Sequence, residues 1–116
     1  MGRARVPMSF EEHVRAALGS LPPQLAAALE NVAVVVRDEN PEDPDLFGLY
    51  EGTPLPERSG ASAGHLPDQI SIYRLPLEES FPDPDELEEE IRITVLHELA
   101  HYFGIDEERL EQLGYG

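Results

Sequence analysis

Apolar positions recur along this chain with two periods, and each period marks its own elements. Within Ser9–Leu18, the residues Phe10, Val14, Ala17 and Leu18 fall on one helical face. Ser9 and Glu12 stand at capping-box spacing ahead of that face, and Gly19 supplies a stop. The stretch LPPQLAAALENV predicts a short second helix, opened by Pro22 and Pro23 and apolar at Leu25 and Leu29. Val32–Arg37 (VAVVVR) is β-branched and short, which predicts a largely buried strand. Leu46–Glu51 (LFGLYE) is a second strand, with Gly48 as a candidate bulge. Gln69–Arg74 (QISIYR) alternates polar and apolar residues and reads as a third.

Loops separate these elements. DENPEDPD is acidic and carries prolines. GTPLPERSGASAGHLPD is long, polar and rich in Gly, Ser and Pro, and we expect it to be mobile. FPDPDELEEEIRITVLHELAHYFG then gives the strongest helix signal. Asp83 can cap it, Pro84 suits its first turn and Glu86 completes a capping pair. The acids from Glu86 to Glu90 lie near the positive end of its dipole, which is a sufficient structural reason for them. A last short helix spans Glu107–Leu113 and ends at Gly114. No internal repeat is visible, and 116 residues fit a single domain, 1–116.

Composition narrows the function. Cysteine is absent, which removes disulfides and thiolate metal sites. The formal charge is −16, with eight Arg and no Lys. Nucleic acid is therefore not expected as a partner, because phosphate binding needs clustered positive charge. No apolar run is long enough to span a membrane, and no apolar segment follows the N-terminal arginines as in a signal peptide. A cytoplasmic location is expected.

From Ile91 onward the strongest helix is apolar nearly all round, the pattern of a helix that crosses the middle of a domain. Polar groups there cost several kcal/mol, about 2–7, unless they are satisfied. Yet His97, Glu98 and His101 sit in that stretch. His97 and His101 are spaced i, i+4, so both imidazoles lie on one side, one turn apart. That suits two nitrogen ligands on one zinc ion, with Glu98 beside them as a general base for a water molecule.

A catalytic zinc usually has a third protein ligand. If the helix simply continued, Glu108 would share the histidine face but lie about 10 Å further along the axis. The helix must break, and Gly104 stands where a left-handed residue would turn the chain. Asp106, Glu107 and Glu108 follow, and any of them could swing back. His13 and His65 have no such neighbours and read as surface residues.

With these residues the chain resembles the small bacterial zincin-like metallopeptidase proteins, sometimes called mini-zincins. The resemblance covers most of the chain after residue 30, through GLYEGTPLPERSG, LPDQISIYR, VLHELAHYFGI and ERLEQLGYG. The family pattern is H-E-x-x-H-x-x-G-x-x-D, with the last acid as third ligand. His97, Glu98, His101 and Gly104 match it, whereas Glu107 stands at the Asp position and Asp106 precedes it. The resemblance thus implies zinc on His97, His101 and Glu107, with Asp106 as the alternative third ligand. Asp106 also suits the N-cap of the last helix. Larger zincins carry a methionine turn downstream; here the only methionines are Met1 and Met8, so none is expected. In this family the terminal Tyr supports the site from below, and Tyr115 matches it.

The same resemblance implies an α+β fold: a minimal zincin-like core in which a small twisted mixed sheet is backed by an N-terminal helix and a central active-site helix. An edge strand would pair with an extended peptide or protein substrate, and either FGLYEG or ISIYR could be that edge. The implied function is a zinc-dependent peptidase with Glu98 as base. The rival is a catalytically inactive zincin-fold interaction module with an acidic surface for a basic partner. A closed structural zinc site would leave Glu98 without a role. Few residues follow Gly104, so we expect no lower wall to the cleft, and a homodimer could complete it.

Overall fold

The computed structural model describes residues 8–52 and 68–113. Its elements are α1 (Phe10–Gly19), α2 (Pro23–Ala28) with a 3-10 turn at Leu29–Asn31, β1 (Val32–Arg37), β2 (Gly48–Glu51), β3 (Asp68–Tyr73), α3 (Arg74–Ser80), α4 (Pro84–Tyr102) and α5 (Glu107–Leu113). Helices and a three-stranded mixed sheet make the fold α+β, as the resemblance implies.

The strand order is β1-β3-β2, with β3 in the middle. β1 runs parallel to β3, with Val34 opposite Ile70; β2 runs antiparallel to it, with Tyr50 opposite Ile70. This settles the edges: ISIYR lies in the central strand, so β2 is the edge strand of the two candidates. It also corrects the reading of VAVVVR. β1 is an edge strand, and only Val32 in it is fully buried, because no described strand covers its outer side.

One core joins the layers. Phe10, Val14 and Ala17 of α1 meet Ile70 and Ile72 of β3 and a stripe on α4 made of Leu87, Ile91, Val95, Leu99 and Tyr102. The stripe advances by three or four residues at each step, so it keeps to one face of a straight helix. Ile91, Val95, Ile70 and Ile72 are completely enclosed. Among the described residues, no helix is long and apolar enough to cross a membrane.

The helix ends follow the sequence. Ser9 and Glu12 close a full capping box on α1, and the Asp83 side chain accepts the Glu86 N–H at the start of α4. The predicted Gly19 stop takes another form. α1 ends at Ser20 in ordinary right-handed geometry; the Ser20 N–H bonds back to the Ala17 carbonyl and the Leu21 N–H to the Leu18 carbonyl. α3 is an addition to the expected elements. It starts directly at the end of β3, with no side-chain cap, and its buried Pro76 occupies the first turn, where the missing N–H is harmless. Residues 53–67 of the Gly/Ser-rich loop, His65 among them, lie outside the described residues; its last residue, Asp68, opens β3.

Gly48 is not a bulge, since it keeps regular register opposite Ile72. A Cβ there would stand 2.5 Å from the Thr94 methyl and 3.1 Å from the Ser71 carbonyl oxygen. Glycine is needed because α4 passes hard against β2. That close approach is what brings the histidine turn of α4 to the sheet edge.

Candidate metal centre

Thr94 to Tyr102 places its polar residues by helical period. Val95 and Leu99 face the core, and Glu98 between them reaches β2. His97 and His101 are half-buried, while Glu98 is only 7% exposed. The two imidazole rings lie 5.0 Å apart, centre to centre, at 76° to each other. One ligand atom from each of His97, Glu98 and His101 lies within 4.8 Å of the others. Tetrahedral zinc with Zn–N bonds of about 2.0–2.1 Å would draw two nitrogens somewhat closer, which side-chain rotation can supply. Two imidazoles, in a chain without thiolates, suit zinc, and Glu98 stands close enough to serve a water beside them.

The turn after α4 holds one of these rings. Gly104 has φ 84°, in the left-handed region that favours glycine. The Gly104 N–H bonds to the His101 carbonyl and the Ile105 N–H to the Ala100 carbonyl, the paired closure of a Schellman motif. This reversal brings the Ile105 carbonyl oxygen to 3.1 Å from His101 Nδ1. A carbonyl can only accept, so Nδ1 is the donor, and Nε2 is the nitrogen that would serve as a metal ligand. The sequence marked Gly104 as the turn but gave no sign of the carbonyl it delivers.

Glu98 is positioned from the sheet. The Tyr73 N–H donates to the Phe47 carbonyl, and the hydrogen-bonded pairs alternate from there along β2. The main-chain groups of Gly48 and Tyr50 therefore point outward, away from β3. The outward Tyr50 N–H donates to Glu98 Oε1 at 2.8 Å. A buried carboxylate that would otherwise be costly thus has a main-chain donor and sits at the rim of the sheet. The Tyr50 hydroxyl donates to the buried Asp68 at 2.9 Å, and its ring meets Tyr102 edge-on. These contacts anchor the strand that anchors Glu98.

His97, Glu98 and His101 thus come together. Asp106 Oδ1 accepts the Arg109 N–H at 2.9 Å, which makes Asp106 the N-cap of α5. Glu107 is the first residue of α5; its side chain, and Tyr115, lie outside the described residues. His13 is not a surface residue. It is 7% exposed and bonds through Nδ1 to Glu88 at 3.1 Å across the α1–α4 interface. Its partner is 75 residues away, a pairing no local pattern reveals.

A cavity of about 420 Å³ opens beside the site, lined by His97, Glu98, Thr94 and Gly48 among others. That size is within the range of small-molecule and peptide side-chain sites.

A family model described as zincin-like metallopeptidase matches residues 29–116, and the chain belongs to that family. No curated protein matches the chain significantly.

Proposed function

We propose that this member of the zincin-like metallopeptidase family is a zinc-dependent hydrolase of peptide bonds. The observation that carries the reading is the Glu98 carboxylate, buried and clustered with two imidazoles yet held at the outer edge of β2. His97 and His101 would hold the metal, with Glu107 as third protein ligand. Asp106 already uses one carboxylate oxygen on α5, which favours Glu107 over it.

When bound, zinc supplies Lewis-acid chemistry, making water more acidic and polarising a carbonyl. The chain's own groups do the rest. The Ile105 carbonyl fixes the His101 ring, and the Tyr50 N–H fixes Glu98. Glu98 accepts the proton of the attacking water and then delivers it to the nitrogen of the leaving amine. The outward main-chain groups of Gly48 and the Tyr50 carbonyl would hold an extended substrate as an added strand.

A zinc titration of metal-stripped protein against a chelating dye should give one-to-one binding, weakened more by Glu107→Ala than by Asp106→Ala. Zinc-loaded protein should then cleave a peptide library, and a chelator should stop it. Glu98→Gln should lower turnover by about 10²–10⁴-fold while zinc affinity is kept. Undiminished turnover in that variant would refute the assignment. Zinc binding with no cleavage would instead fit an interaction module.

A further inference from the structure

The cavity beside Glu98 does not run symmetrically along β2. It extends from His97 and Glu98 toward the chain that precedes Gly48. Leu46, Phe47 and Ile93 give it apolar wall, and Asp43, Asp45 and Glu90 give it carboxylates. Asp43 and Asp45 are exposed and Glu90 is half-buried, so the charge lies toward the mouth. Apolar wall with an acidic rim matches one kind of side chain: an aliphatic stem ending in a cation. No arginine is among the described residues that line it. In a chain of charge −16 many acids merely face solvent. Here the cavity exists independently of the acids and is continuous with the candidate centre, and its charge only selects what would fill it.

From this the geometry points to a substrate preference: a Lys or Arg side chain, on the C-terminal side of the scissile bond, seated between the Leu46–Phe47 segment and the Ile93 turn of α4. The polarity follows from the strand. Glu98 marks the reacting bond and is held at Tyr50, while the cavity lies beside Gly48 and the residues before it. A peptide added antiparallel to β2, the more stable ladder, passes Tyr50 and then runs toward Gly48 in its own N-to-C direction. Its residues after the scissile bond therefore enter the cavity. The acids raise the local concentration of cationic peptides and weaken acidic ones. Asp45 and Phe47 also border a second cavity of about 360 Å³ that includes Glu79, so the acidic path continues outward.

This inference rests on the peptidase reading, and one experiment separates the two. Zinc-loaded protein is given a library of peptides of natural composition, and the cut sites are sequenced. In parallel, zinc-loaded Glu98→Gln protein is titrated by fluorescence polarisation with three peptides identical except for Arg, Gln or Glu at the positions after the expected cut. Arg or Lys should be enriched at those positions by at least about fivefold over Asp or Glu. Asp45→Asn with Glu90→Gln should reduce that enrichment by about three- to tenfold, and Asp45→Lys with Glu90→Lys should reverse it. Cleavage with no basic preference, with the preference before the cut, or with a preference that both double variants leave alone would overturn the inference and spare the peptidase reading. No cleavage, but tighter binding of the Arg peptide that Asp45→Lys with Glu90→Lys abolishes, would uphold the groove and overturn the peptidase reading. Neither cleavage nor binding would overturn both.

Discussion

His13 and His101 each place Nδ1 3.1 Å from an oxygen, and the two oxygens give them different occupations. His13 faces the Glu88 carboxylate, tying α1 to α4. A charged acceptor there makes the ring a clasp whose work ends with the bond. His101 faces the Ile105 carbonyl, a neutral group that orients the ring through Nδ1. His97 lies one turn away and Glu98 joins them. Burial does not separate the two residues, since His13 is the more buried. What separates them is whether the ring lies among other candidate metal ligands.

The largest effects test that distinction directly. His101→Ala should weaken zinc binding more than 100-fold, since it removes a ligand and not merely its support. His13→Ala should leave zinc affinity unchanged within about twofold and lower stability by about 1–2 kcal/mol, read in urea melts. Equal zinc losses in the two variants would erase the comparison. Next comes the support itself. Gly104→Ala keeps every ligand but strains a left-handed position by about 1–2 kcal/mol. By disturbing the Ile105 carbonyl it should also weaken zinc binding about 10–100-fold. A loss of stability with zinc affinity intact would show the turn to be purely structural.

The smallest effect concerns the start of α1, the element that carries His13. The Ser9 N–H, and then the Ser9 side chain, hold the Glu12 carboxyl below its usual range. A folded-state pKa that is lowered stabilises the native state above the ordinary glutamate range and ceases to do so as pH falls through that range. Glu12→Gln should therefore be less stable than the parent at neutral pH, with the gap closing in acid. A gap independent of pH would remove the capping box as its cause. Glu12 is fully exposed, so the effect should be small.

Much of this molecule is written locally. The capped starts of α1 and α4, the whole of α5 and the His97–Glu98–His101 trio depend on residues a few positions apart, so the sequence displays them. What it conceals depends on distant or main-chain partners. His13 takes its meaning from Glu88, and Gly48 from Thr94 of a helix that arrives much later. The Tyr50 N–H and the Ile105 carbonyl would be present whatever side chain stood there, so no residue type announces them. α3 escaped for another reason: it follows β3 without a loop or a side-chain cap, and its Pro76 reads as a breaker although it falls in the first turn. The acids of Glu86–Glu90 looked like a response to the helix dipole alone. In the fold Glu88 holds His13, Glu89 pairs with Arg92 and Glu90 borders the cavity.

The end of α4 has a kinetic meaning as well. Helix termini fray, and this one can open only by releasing the Ile105 N–H from Ala100 and, with it, the carbonyl that steadies His101. Opening of the backbone and loosening of the ring are one event. A cation held by His101, as the proposed function requires, would act as a rivet on the last turn, favouring the closed form by mass action. The exchange of the Gly104 and Ile105 amide hydrogens with solvent would then become a clock for how often such a rivet is absent.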